Sequence, residues 1–354
     1  MSQNVLVVHG GGPTAVINAS LYGVIEEAKR NPEVGKVYGA IGGTGAIFSE
    51  TFIDLTSFDD EKLKLLLHTP ASAIGSSRYP LYEKDYEKMV DIFKKHDIKY
   101  VLLNGGNGTM DACGHIYEVC KDQDIKVVGI PKTIDNDIAM TDHSPGYGSA
   151  ARFIAASTQE VGEDVKSLPI HVCIMEAMGR NAGWLTGAAV LAKSEDCEGP
   201  DLIYLPEVAF DVDDFLKKVK KLVSEKQSIV IAVSEGIKTA DGRYVCELSA
   251  PSETTDSFGH VQLSGTGKYL SDLIIEKLGC KSRAIELSTL QRCAGHLTSR
   301  VDITEAYQVG GTAVKAAFEG KTGQMVILKR VSQDPYICTT DLYDVHKVAN
   351  LEKK

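Results

Sequence analysis

Apolar residues run along this chain in short, nearly unbroken stretches separated by longer segments of helical periodicity. Short runs of strand-forming character fall at 4–8, 37–42, 100–104, 125–130, 171–176, 202–205, 228–233 and 283–287. Between most of them the apolar positions recur with the spacing of an amphipathic helix, as at 15–30, 83–96, 109–121, 148–165, 210–225 and 300–319. Strands that alternate with helices predict an α/β protein with largely parallel sheets. The strand runs are continuous rather than alternating, which is the pattern of sheets covered by helices on both faces.

A chain of 354 residues is long for a single core and predicts two domains. No linker rich in Pro, Gly or Ser marks the division, and the expected break lies near Ser144-Pro145-Gly146. One domain is then expected over 1–146 with about 292–338, and the other over 147–291 with about 339–354.

Composition narrows the function classes. A hydrophobic content of 43% with 24% charged residues is that of an ordinary globular protein. No apolar run reaches membrane-spanning length, so no membrane partner is expected. Met1-Ser2-Gln3-Asn4 carries no basic segment and leads straight into a strand, which makes a cytoplasmic location the expectation. The eight cysteines include no Cys-x-x-Cys pair, against both zinc and a disulfide framework. A net charge of −10 without a basic run argues against a nucleic-acid partner. The same charge means that any anionic substrate must be held by local Arg, Lys and backbone N–H groups against an unfavourable overall field.

The candidate chemistry gathers where strands end. After the run at 125–130 comes Pro131-Lys132-Thr133-Ile134-Asp135-Asn136-Asp137, with two carboxylates, a hydroxyl and an amine in a turn-forming segment. An open parallel sheet places its ligand crevice at such strand ends. A convergent acid pair with Lys and Thr suits metal-assisted transfer of a phosphoryl group. Two glycine loops occupy equivalent places: Gly10-Gly11-Gly12-Pro13-Thr14 after Val5-Leu6-Val7-Val8, and Gly105-Gly106-Asn107-Gly108-Thr109 after Val101-Leu102-Leu103. Neither matches Gly-x-Gly-x-x-Gly or the P-loop, and either alone reads as a tight turn. Together with the carboxylate loop they point to phosphate handling at helix N-termini.

In these motifs and their order the chain resembles the A-type phosphofructokinases. The resemblance extends through Asn18, Gly75-Ser76-Ser77-Arg78-Tyr79-Pro80, Met175-Glu176-Ala177-Met178-Gly179-Arg180, Ser234-Glu235-Gly236, Arg283 and Gln291-Arg292. It implies two Rossmann-like, three-layer α/β/α domains, the first binding the phosphoryl donor and the second the sugar phosphate. It also implies transfer to the 1-hydroxyl of fructose 6-phosphate, Mg²⁺ as cofactor, and a homo-oligomer, dimer or tetramer. By that resemblance Asp135 is the proton acceptor, with Thr133, Arg180 and Lys132 as its catalytic companions. Asn107, Asp135 and Asp137 surround the metal. Gly11, Arg78, Tyr79, Gly105, Gly106, Asn107, Gly108 and Thr109 face the donor. Thr133, Ile134, Asp135, Met178, Gly179, Arg180 and Glu235 take the sugar, and Arg283, Thr289, Leu290, Gln291 and Arg292 lie about its phosphate.

Departures from the family pattern bear on the donor. Asn107 replaces a common aspartate and is a weaker metal ligand. At Gly108, pyrophosphate-dependent members generally carry an aspartate that opposes the α-phosphate of ATP, so the glycine argues for ATP. Lys132 argues for pyrophosphate, because ATP-using relatives commonly have glycine there. The gate at Gly108 is given the greater weight here, so ATP is the expected donor and pyrophosphate the alternative. A non-catalytic sugar-phosphate-binding protein is the third reading. His171 and Thr289 stand where relatives often have arginine and histidine, which leaves another sugar phosphate such as sedoheptulose 7-phosphate open. Tyr22 and Glu26 stand where allosteric relatives carry effector-site arginines, so hyperbolic kinetics are expected.

Overall fold

The computed structural model describes residues 3–77, 79–168, 171–248, 263–349 and 351–354. In chain order its strands are β1 (Gln3–His9), β2 (Val34–Ala40), β3 (Phe52–Asp54), β4 (Ile98–Gly105), β5 (Lys126–Pro131), β6 (Val172–Ala177), β7 (Leu202–Tyr204), β8 (Ile229–Ser234), β9 (Ser282–Glu286), β10 (Gln324–Gln333) and β11 (Tyr336–Asp344). The chain separates into one unit of Met1–Ser149 with Arg292–Lys353 and a second of Ala150–Gln291 with Lys354.

The first unit holds a sheet in the order β11-β10-β5-β4-β1-β2-β3. Its central pairings are parallel, and β3 and β11 close the edges antiparallel. The chain lays β2 on one side of β1 and then returns to lay β4 on the other. The β1–β4 boundary is therefore the topological switch point, where the carboxyl ends of an open α/β sheet leave a crevice.

Both faces of this sheet's central strands β1, β4 and β5 are buried, which is why these read as unbroken apolar runs. Leu6, Val8, Val101, Leu103 and Val127 enter one core with Met89, Phe93, Met110 and Ile116. The intervening Val5, Val7, Leu102, Val128 and Ile130 enter the opposite core with Leu21, Ile25, Val309 and Val314.

On that second face the helix Ile17–Lys29 packs on the helix Arg300–Phe318. A Cβ at Gly310 would lie 2.0 Å from the carbonyl oxygen of Ser20, so backbone meets backbone and nothing can yield locally. Gly310→Ala gains about 1 kcal/mol of helix propensity but overpacks the contact at a cost of about 3 kcal/mol. A net loss of about 2 kcal/mol in a urea titration is expected. An unchanged midpoint would mean that the helices separate freely.

The second unit carries a four-stranded sheet, β7-β8-β6-β9, parallel throughout. Val172, Ile174, Ile229, Ile231 and Val233 face Phe215, Val219, Leu270 and Ile274 in its core. Among the described residues no helix is long and apolar enough to cross a membrane.

All eight predicted strands are present, and the predicted helices appear with ends shifted by a few residues. The structure adds β3, β10, β11 and the helix Thr266–Leu278. One boundary needs correction. The segment about 339–354, expected with the second domain, belongs to the first up to Lys353. The reason is β11, which pairs with β10 from Gln333↔Tyr336 to Gln324↔Asp344 in one long hairpin. A strand tied to its neighbour by so short a turn stays in the same sheet.

Candidate active site

Three loops leave the carboxyl ends of β1, β4 and β5, which are adjacent in the first unit's sheet. The Gly10 N–H donates to Asn104 O at 2.9 Å and the Lys132 N–H to Gly105 O at 3.0 Å, so each loop starts from its neighbour's backbone. A Cβ on Gly10 would lie 2.3 Å from the Thr109 hydroxyl oxygen, and one on Gly105 2.1 Å from the same atom. Thr109 is thus a wedge between the two glycine loops, and its neighbours are glycines because its side chain fills their Cβ positions. Thr109, expected to face the donor, also packs the two loops together.

Lys132 lies beneath the first loop. It is 2% exposed, and its ammonium donates to Gly10 O at 2.8 Å and Gly12 O at 2.5 Å. The cation therefore supports the turn from below while its charge remains directly under it. His9 beside it is held neutral, its pKa lowered to about 3 by burial and then by the Lys132 charge.

The carboxylate loop continues as a bent segment along which burial alternates. Lys132, Ile134, Asn136 and Ile138 are buried, whereas Thr133, Asp135 and Asp137 are half-exposed. The hydroxyl and both carboxylates are thus the more accessible side chains of the loop. Thr133 Oγ1 accepts the Asp135 N–H at 3.0 Å, which tightens the turn and leaves the hydroxyl proton for an outside acceptor. Asn136 takes a left-handed φ of 55°, and its side-chain oxygen accepts the Ser144 N–H at 3.0 Å. Pro145 O receives the Thr133 N–H at 3.2 Å. Asp302, fully buried, then anchors the outgoing chain by accepting the N–H groups of Gly146 at 2.8 Å and Ser149 at 2.9 Å.

The residues present fit a hard divalent cation. Asn107 Nδ2 donates to Asp137 Oδ2 at 3.0 Å, while Asn107 Oδ1 is buried without a hydrogen-bond partner. The Asp137 carboxyl is pushed up to about 6, first by burial and then by the charge of Asp135. An orphaned carbonyl oxygen beside two crowded carboxylates is the all-oxygen set that Mg²⁺ takes, with phosphates and water completing its shell.

In the second unit the segments after β6 and β8 are joined by one hydroxyl. Ser234 Oγ donates to Gly179 O at 2.6 Å and accepts the Gly236 N–H at 3.1 Å. Glu235 Oε1 accepts the Gly179 N–H at 3.4 Å, and Gln291 Oε1 accepts the Met178 N–H at 3.2 Å. The Met178-Gly179-Arg180 segment, Glu235 and Gln291 are thereby brought together. Glu176, at the end of β6, accepts the Gly267 N–H at 2.7 Å in the first turn of the helix Thr266–Leu278. Burial, then the charges of Glu286 and Glu235, raise its carboxyl to about 7, against the lowering effect of that hydrogen bond.

Arg78 lies outside the described residues. Tyr79 is exposed with its ring 5.8 Å from that of Phe48. A Cβ at Gly108 would meet nothing within 4 Å, so this position opens onto free space. Arg283 is exposed, 4.0 Å from Asp164, and His171, Thr289 and Leu290 are also exposed. Arg292, expected at the sugar phosphate, has its guanidinium carbon 3.0 Å from where a Gly12 Cβ would stand, against the first glycine loop. Tyr22 is buried with its ring 5.8 Å from that of Tyr307, in the helix packing. Sequence reasoning passed over Ser234, Asp302 and Asn136 as site-forming residues. Ser234 and Asn136 stood inside the quoted motifs, whereas nothing local marked Asp302.

Over residues 4–317 the chain matches the family profile described as Phosphofructokinase. It is 38% identical over 362 residues to a protein of Halomonas elongata named pyrophosphate--fructose 6-phosphate 1-phosphotransferase, covering 99% of this chain and 85% of that one. A protein of the same name from Xanthomonas campestris pv. campestris is 40% identical over 361 residues, covering 99% and 85%. The crystal structure of pyrophosphate-dependent phosphofructokinase from Nitrosospira multiformis matches with a TM-score of 0.89 at 35% identity, covering 100% of this chain and 86% of that one.

Proposed function

The chain belongs to the phosphofructokinase family, and from that premise we propose that it transfers a phosphoryl group from pyrophosphate to the 1-hydroxyl of fructose 6-phosphate. The observation that carries the donor is similarity along 99% of the chain to relatives named for pyrophosphate. Lys132 supplies a physical reason. Its buried ammonium sets a fixed positive charge under Gly10–Gly12, which favours a compact polyanion with no nucleoside to anchor it. The expectation of ATP rested on Gly108. The open space there admits a larger donor without attracting one, and a placed cation outweighs a void.

In this reading the phosphoryl donor lies over the Gly11 and Gly105–Gly106 loops. Asp135 accepts the proton of the sugar 1-hydroxyl, whose oxygen forms the new bond to phosphorus as the bridging P–O bond of pyrophosphate breaks. Inorganic phosphate leaves and fructose 1,6-bisphosphate forms. Thr133 donates to a phosphoryl oxygen, and Arg180 offsets the charge that develops on the transferring group. Met178, Gly179, Glu235 and Gln291 orient the sugar. Arg292 is a further guanidinium for phosphate at the first glycine loop, and the exposed Arg283 is left for the sugar phosphate of a neighbouring copy in a homo-oligomer. Asn107 and Asp137 would hold Mg²⁺, which when bound neutralises phosphate charge.

The test is a steady-state assay of the purified protein with fructose 6-phosphate, Mg²⁺ and either donor. Activity with pyrophosphate, at least about 100-fold above that with ATP in kcat/KM, is expected; that ratio corresponds to about 2.7 kcal/mol of transition-state discrimination. Reversal with inorganic phosphate and a hyperbolic fructose 6-phosphate curve are expected in the same assay. Turnover with ATP alone would reverse the donor assignment, and silence with both would favour a binding protein.

A further inference from the structure

We infer that Lys353 is a positioning residue for the carboxylate loop, holding Asp137 and Asn136 in the arrangement that phosphoryl transfer uses. This inference rests on the phosphotransferase reading above.

The segment Leu351–Lys353 adds itself to the loop as a short strand. Glu352 bridges Ile138 in antiparallel fashion, and the Lys353 N–H donates to Asp137 O at 2.8 Å. The Lys353 ammonium then reaches across the turn that follows. It donates to Asp142 O at 2.9 Å, to Thr141 O at 3.1 Å and, more weakly, to Asn136 Oδ1 at 3.4 Å. One side chain thus gathers both ends of the 136–142 turn, while its own backbone fixes the peptide of Asp137.

The far end of that turn is itself anchored. Asp142 receives Arg330 from β10 at 3.0 Å and His143 at 2.9 Å. His143 is in turn 2.6 Å from Glu305 on the helix Arg300–Phe318. Lys353 therefore pulls the carboxylate loop toward a point tied to the sheet and to a helix. The near end is the part that would otherwise move. Asn136 sits at φ 55°, a conformation that costs a non-glycine residue energy unless its surroundings hold it. Its side-chain oxygen is shared between Ser144 and Lys353. Without the ammonium the turn at Asn136 is expected to relax, and the Asp137 carboxylate to lose its aim at Asn107.

A group that orients a metal-binding or catalytic residue without touching substrate affects turnover more than substrate affinity. Lys353→Met keeps most of the apolar stem, and Lys353→Arg keeps the charge. In Lys353→Met, kcat with pyrophosphate is expected to fall about 10- to 100-fold, as for other partners of metal ligands. The KM for fructose 6-phosphate should stay within about twofold, because the sugar's contacts are to other residues. Amide exchange across 135–144 should rise selectively, the melting transition should remain cooperative, and Lys353→Arg should recover part of the lost kcat. Unchanged kcat and unchanged exchange in Lys353→Met would overturn the inference. So would a kcat loss matched by general loss of folded protein with no selective exchange at 135–144. If the unaltered protein proved inactive with pyrophosphate, the functional reading would fail by itself, and the exchange comparison would still decide whether Lys353 holds the loop.

Discussion

Replacing Asp135 with serine is expected to lower kcat by about 10³-fold or more while leaving fructose 6-phosphate bound nearly as before. A positioned general base contributes roughly 10² to 10⁴ in rate. Asp135 occupies the middle of the half-exposed side of its loop, between Thr133 and Asp137. Serine keeps the backbone N–H that donates to Thr133 Oγ1, so the turn should survive the substitution. It also removes a charge that pushes Asp137 up, so the loop loses repulsion rather than gaining it, and misfolding does not explain the lost rate. The decisive measurement pairs kcat with direct binding of fructose 6-phosphate by calorimetry. If turnover stays within tenfold, Asp135 is not the proton acceptor.

Lys132→Met should be felt mainly at the donor. Methionine approximates the lysine stem but leaves the carbonyls of Gly10 and Gly12 without the ammonium they now accept from. Each buried carbonyl left without a donor costs about 1–3 kcal/mol, and the loop can avoid that cost only by turning the groups outward. The loop geometry and the fixed charge beneath it would be lost together. The KM for pyrophosphate is expected to rise about 100-fold, equivalent to about 2.7 kcal/mol of donor binding, with the KM for fructose 6-phosphate altered far less. An unchanged pyrophosphate KM would show that the donor does not sense this cation. Lys132→Arg is not expected to restore binding, because a planar guanidinium does not fit a site that is 2% exposed and shaped for a point charge.

Much of this was legible in the residue order, and the exceptions have identifiable causes. β1, β4, β5, β6 and β8 could be read because they are buried nearly throughout, which writes an unbroken apolar run. β3 contains only Phe52–Asp54, too short to show any period. β10 begins with the buried Met325–Leu328 but ends in polar, exposed residues, and β11 lies at the sheet's edge, half-exposed along its length. The helix Thr266–Leu278 went unread, although Gly265 and Gly279 flank it, both in left-handed conformations.

At the site, sequence named the three loops but not which side chains face outward. Lys132 and Gly108 were both visible, and they pulled toward different donors. Only three-dimensional placement shows that one is a buried cation under the first glycine loop and the other an opening. Thr109 and Arg292 illustrate the same limit. A residue within a binding motif can serve as the wedge that shapes it, and an arginine remote in sequence can arrive at a glycine loop. Lys353 carries no local mark at all, because its partners lie more than two hundred residues earlier.

The alternation of burial along 132–138 also limits how the loop can change in length. Deleting or inserting one residue between Lys132 and Asp135 would shift Asp135 and Asp137 toward the buried positions that Ile134 and Asn136 hold. Libraries that randomise residue identity in this segment can therefore retain function, whereas libraries that vary its length by one residue should yield almost none.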